Sequence, residues 1–121
     1  MTEEEKMIDT YVGSDLSIVC RPTGGLDWSG AAALRHAVHN VVRPEINLHI
    51  DLRHLDFVDA VGMSALVGSV RRVRAVGGKA RIQNASPAVR RRLQMVGVYE
   101  FLTGPPANVG RYSQSDSGDA A

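Results

Sequence analysis

The stretch Ile46–Val70, "INLHIDLRHLDFVDAVGMSALVGSV", changes periodicity once, and the place where it changes decides how the chain folds. Ile46, Leu48, Ile50 and Leu52 alternate with Asn47, His49, Asp51 and Arg53, the period-two pattern of a strand buried on one face. After Asp59 the apolar residues recur at helical spacing, through Met63, Leu66, Val67, Val70 and Val73. Gly77-Gly78 closes that helix, because glycine accepts the left-handed ending conformation. Asp59 is its N-cap, a carboxylate that accepts free backbone N–H groups at the positive end of the helix dipole. Polar hinges between strand and helix often carry chemistry, yet Ala60 and Val61, directly after this one, have no reactive group.

Outward from this stretch the same two periods recur. Leu16, Ile18 and Cys20 alternate with Ser17 and Arg21, and Ala80 and Ile82 alternate with Lys79, Arg81 and Gln83. Strands of a doubly wound sheet are apolar on both faces. The alternation therefore predicts an α/β fold with helices mainly on one face of the sheet and a largely wet second face. A first helix starts at Asp27 or Ser29, aligns Ala31, Leu34, Val38 and Val41, and stops before Pro44. A third has Ser86 as N-cap, Pro87 in its first position, Val89, Leu93 and Val96 inward, and Gly97 just past its end. Helices alternating with strands require crossover connections and at least one parallel strand pair. Residues 7–12 are expected as an edge strand, and Tyr99–Leu102 as either a short strand or a packing anchor. No internal repeat is evident.

At 121 residues the chain fits a single core. The expected division is a flexible N-terminus over 1–6, one domain over 7–103, and a disordered tail over 104–121, where apolar content is too low to pack. With 14 Lys+Arg against 13 Asp+Glu, no global field draws the chain to nucleic acid or an anionic membrane, and no direct nucleic-acid partner is expected. No run approaches the roughly 18 apolar residues of a membrane span, so membrane insertion is not expected either. The single Cys20 excludes an intrachain disulfide and a multi-cysteine metal site, and fits a reducing, cytoplasmic setting.

A search for catalytic groups finds little. His36 and His39 are three apart on the first helix, and His49 and His54 lie elsewhere, without accompanying ligands at metal spacing. Gly77-Gly78-Lys79 lacks both the upstream glycine and the following Ser/Thr of a phosphate loop, since Ala80 stands there. Ser64 in "GMSAL" lacks the second glycine of a nucleophile elbow and an assignable base. Neither enzyme activity, nor a metal, nor a cofactor is expected. The arginine runs Arg71-Arg72-Arg74 and Arg90-Arg91-Arg92 read most simply as solvated helix faces; at 5% aromatic content, stacking on bases has little support.

The informative surface is the start of the second helix. With Met63, Leu66, Val67 and Val70 inward, Ala60, Ser64, Gly68 and Arg71 share another face at spacings of four, four and three. Such a flat strip serves either close packing of a neighbouring helix or close approach of a partner, and the sequence leaves both open.

The run "GGLD" (Gly24–Asp27), the strand "HIDLRHLDFVD" leading to a glycine-containing helix start, the Gly-Gly helix end, and "NASPAVRRRLQMVGVYEFL" together resemble the STAS domain of bacterial anti-sigma factor antagonists, over residues 7–103. The resemblance implies a mixed sheet of four to five strands and a binding module rather than a catalyst. Its implied partner is an anti-sigma factor, an ATPase-like serine kinase, met through the second-helix start and adjacent loops. Carried onto this chain, that surface comprises Asp27, Asp59, Ala60, Val61, Gly62, Met63, Ser64, Gly68 and Arg71. In the family the kinase phosphorylates a Ser or Thr directly after the aspartate, in a tract such as Asp-Ser-Ser-Gly, and a phosphatase reverses it. Here Ala60 occupies that position and cannot be phosphorylated, with Ser64, one turn later, as a substitute acceptor. The implied state is a monomer or weak homodimer. STAS domains also serve as accessory subunits of membrane transport assemblies or as small-ligand sensors, which is the alternative role.

Overall fold

A computed structural model describes residues 8–104. The expectations for residues 1–6 and for the tail beyond Gly104 lie outside the described residues. The elements run β1 (Ile8–Val12), β2 (Ile18–Pro22), β3 (Gly24–Leu26), α1 (Trp28–Val41), β4 (Asn47–Asp51), β5 (Leu55–Val58), α2 (Ala60–Ala75), β6 (Lys79–Gln83), α3 (Pro87–Val96) and α4 (Tyr99–Thr103).

Four strands form a mixed sheet in the order β1-β2-β4-β6. The hairpin β1–β2 is antiparallel, whereas β2–β4 and β4–β6 are parallel and linked by helical crossovers. The registers Ile18↔Leu48, Cys20↔Ile50, Leu48↔Ala80 and Ile50↔Ile82 line up one apolar face. Against it pack Ala31, Leu34 and Val38 of α1 and Met63, Leu66, Val70 and Val73 of α2, in one buried cluster. Burying Leu34, Leu48, Ile50 and Leu66 completely, at about 1.5–3 kcal/mol each, is what holds the helices on that face. Burial also pushes the Cys20 thiol up, beside Thr10 Oγ1 at 3.8 Å, so this cysteine is an inert core residue.

The second face is less wet than its alternation predicts. Asp51 and Val19 are buried there, and so is Ser17 at the hairpin. Asp51 accepts hydrogen bonds from the Arg53 backbone N–H at 3.0 Å, Asn84 Nδ2 at 3.2 Å and Arg21 Nε at 3.2 Å. Burial raises the pKa of its carboxyl, but these donors outweigh burial and leave it below the usual value. Arg21 in turn donates to Tyr11 Oη at 2.6 Å, so one polar row ties β1, β2 and β4 together.

Several expectations are corrected. Leu16 is not an inward strand residue: it is 83% exposed, with φ of 68°, in the turn that closes the hairpin, and β2 begins at Ile18. "HIDLRHLDFVD" is two strands, because β4 ends at Asp51 and β5 begins at Leu55. Tyr99–Leu102 is not a strand: it forms most of the short helix α4 and serves as the packing anchor, with Leu102 in the core and Tyr99 packed against it. Val96 lies exposed at the end of α3, where Gly97, with φ of 88°, turns the chain away before that face can close.

Candidate partner-docking site

Two further strands, β3 and β5, pair in parallel with Leu26 opposite Val58, and each runs straight into a helix. The result is two junctions of the same construction side by side. Asp27 caps α1, accepting from the backbone N–H of Ser29 at 3.1 Å and of Gly30 at 3.2 Å. Asp59 caps α2, accepting from the N–H of Gly62 at 2.8 Å. Leu26-Asp27-Trp28-Ser29-Gly30 thus matches Val58-Asp59-Ala60-Val61-Gly62, a short structural repeat that sequence reading missed because only Asp and Gly coincide. The N–H of Gly30 and the hydroxyl of Ser29 hold the Asp27 carboxyl below the usual carboxylate range.

The pair is locked by close backbone approach. Asp59 N–H donates to Leu26 O at 3.3 Å, and a Cβ at Gly62 would lie 1.9 Å from the same carbonyl. No side chain is tolerated there, so Gly62 is the residue that lets α2 start against β3. From the other side Arg92 Nε donates to Val58 O at 2.9 Å, anchoring α3 to the end of β5. That contact gives one of the arginines in the second run a structural task that its charge pattern did not reveal.

Of the nine residues expected to meet a partner, Ala60, Val61, Ser64, Gly68 and Arg71 are exposed, and Asp27 and Asp59 are half-buried. Gly62 and Met63 are buried and offer no contact surface; they hold the helix start in place from beneath. The strip Ala60–Ser64–Gly68–Arg71 is exposed, and nothing lies within 4 Å of a Cβ built on Gly68, which borders the cleft between α1 and α2. Arg71 leans toward the Phe101 ring, 5.9 Å from its centroid. At Gly68, close packing of a neighbouring helix is not the reason for the small residue.

Sequence reasoning missed two large side chains at the junctions. Trp28, directly after Asp27, is 73% exposed, and Phe57, one strand position before Val58, is also exposed. Phe57 lies across Gly25, where a Cβ would come 2.1 Å from the ring. The available signal was Trp28's place off the apolar stripe of its helix. His36 and His39 part company: His36 lines a cleft against β1, and His39 accepts from Arg72 Nη2 at 2.6 Å. Among the described residues no group of three His, Cys, Asp or Glu could hold a metal ion, and no helix is long and apolar enough to cross a membrane.

The fold is a mixed sheet with its helices on one face, and two aspartate-capped helix starts lie side by side at one end. The chain belongs to the STAS domain family, whose model matches residues 7–110. It is similar to an anti-sigma factor antagonist from Mycobacterium paratuberculosis at 25% identity, over 88% of this chain and 92% of that one, with a TM-score of 0.63. It is also similar to the anti-sigma factor antagonist SpoIIAA in its unphosphorylated form, at 22% identity over 85% and 91% of the two chains, with a TM-score of 0.62. A third similarity, to Mglu at 19% identity and a TM-score of 0.57, covers 67% of this chain but only 20% of that longer one.

Proposed function

We propose that residues 7–103 form an anti-sigma factor antagonist-like domain that binds an anti-sigma factor of the serine-kinase type and so controls sigma-factor-dependent transcription in the cytoplasm. It acts as a monomer or weak homodimer, without nucleic acid, through Asp27, Asp59, Ala60, Val61, Ser64, Gly68 and Arg71, to which Trp28 and Phe57 are added. The observation that carries this reading is the exposed α2 start, with Ala60 directly after the capping Asp59. A phosphate at that position would add about −1.5 to −2 charge beside the Asp59 carboxylate and break a close interface by repulsion and desolvation. With Ala60 there, docking is insensitive to the kinase.

Mixing the purified protein with anti-sigma kinases of the same cell tests the reading. Formation of a stable complex whose affinity is unchanged by ATP supports it, and failure to bind any of them removes it. Ser64 is the fallback acceptor, exposed one turn beyond Ala60; a phosphate gain that disappears in Ser64→Ala would replace the insensitive reading with a relocated switch.

A second reading, a small-ligand sensor, draws on the cleft of about 440 Å³ between β1 and α1, lined by Ile8, Ala33, Ala37 and Val41 with Thr10, His36 and Asn40. That volume lies within the range of small-molecule sites, about 300–1,000 Å³. Native mass spectrometry of protein purified from its own cells distinguishes the two, a bound small molecule favouring the sensor and a bound kinase the antagonist.

A further inference from the structure

Helices α1 and α2 carry four arginines, Arg35, Arg71, Arg72 and Arg74, and not one Asp or Glu between their caps. In a chain of net charge +1 this is a local concentration of positive charge. Arg71 and Arg74 turn toward the Phe101 ring, 5.9 and 4.8 Å from its centroid. Arg35 and Arg72 are left on the opposite side, where they line a cleft of about 190 Å³ between the two helices with Val38, Gly68 and Ser69.

Two features of this cleft call for a ligand. Ser69 is only 4% exposed, and its Oγ has no hydrogen-bond partner among the described residues. A buried hydroxyl left in that state costs about 1–3 kcal/mol, and serines inside helices commonly avoid the cost by bonding the carbonyl one turn back, which Ser69 does not do. Gly68 beside it leaves the way open, since a Cβ there would meet nothing. At the rim, His39 Nδ1 accepts from Arg72 Nη2 at 2.6 Å and steadies that guanidinium.

We propose that this cleft binds a single phosphate-class oxyanion, independently of the docking role above. Two guanidinium groups and a hydroxyl supply the donors that a tetrahedral oxyanion accepts, and guanidinium geometry suits such a group better than an ammonium would. The size fits one group and excludes a whole nucleotide, because the cleft falls below the roughly 300 Å³ at which metabolite pockets begin. Water is the competing occupant: the volume equals that of about six water molecules in the liquid, and one of them could serve Ser69.

The full chain, labelled with nitrogen-15, is titrated with inorganic phosphate while sodium chloride holds ionic strength constant. The expected result is saturating amide shifts at Arg35, Gly68, Ser69 and Arg72. Arg35→Gln and Arg72→Gln each weaken the affinity by about tenfold or more, as loss of a hydrogen bond to a charged group does. Ser69→Ala weakens it as well while retaining the fold, since it removes only an unpartnered hydroxyl. Phenyl phosphate run in parallel separates the sources: saturation with both assigns the site to a phosphomonoester end group, and saturation with inorganic phosphate alone assigns it to the free ion. Shifts that rise linearly, scatter over the surface, or persist in the Arg35→Gln/Arg72→Gln double variant leave the cleft to water and overturn the site.

Discussion

Two glycines of α2, six residues apart, respond to the same substitution with opposite signs. Gly62→Ala drives a methyl group to 1.9 Å from Leu26 O, so the α2 start must lift off β3. The expected loss is about 3 kcal/mol, at the upper end for overpacking because the obstacle is backbone. Gly68→Ala meets nothing and removes a flexible residue from mid-helix, and it should add about 0.5–1 kcal/mol. Urea denaturation of the two variants checks both values. Ala60 is the third decisive small residue. Its exposed position after Asp59 makes Ala60→Ser a designed phosphoacceptor. Incubated with ATP and a kinase that binds the parent protein, this variant should gain one phosphate in intact mass and lose the complex. A variant that stays unmodified while still bound would mean that recognition needs more than the hydroxyl.

Among the elements, the polar row across β1, β2 and β4 makes the sheet sensitive to acid. Asp51 has a lowered folded-state pKa against about 3.9 in the unfolded chain, so its contribution is complete above that unfolded value and is lost as pH falls through the folded one. Asp51→Asn should therefore cost about 2 kcal/mol near neutral pH, a magnitude typical of hydrogen bonds to a charged group. The difference from the parent should shrink below about pH 4, which denaturation curves at a series of pH values would reveal. The same row marks a limit of pattern reading, because Asp51 occupies a polar slot of the alternation yet is buried among its donors. The four-stranded sheet, the three main helices and the caps Asp59 and Ser86 were all legible, since each rests on a period or on a terminal residue with a local cause. The pair β3–β5 was not. Gly24-Gly25-Leu26 is too short to show a period, and Leu55–Val58 buries its two ends while exposing Asp56 and Phe57 between them. Within the candidate site, the exposed strip followed from helical spacing. The burial of Met63 beneath it followed from the same spacing, whereas the presence of Trp28 beside it depends on which strands pair, information that no single segment holds.

At the scale of the whole molecule, the β3–β5 pairing starts two helices from one edge and brings both caps, Trp28 and Phe57 to the same end of the domain. Interfaces draw most of their binding energy from a few residues, with tryptophan prominent among them. Trp28→Ala should accordingly weaken partner binding by about 2 kcal/mol or more while leaving thermal stability within about 0.5 kcal/mol of the parent, because the side chain is mostly in solvent. Calorimetric titration beside a melting curve measures the two separately. Trp28 is also the only tryptophan in the chain, and the core contains none. The indole emission of this protein is thus already that of a water-exposed ring in the folded state, and unfolding should scarcely change its colour. A blue shift should appear only when another surface covers the ring, so the domain carries an optical reporter of association that is almost blind to its own folding.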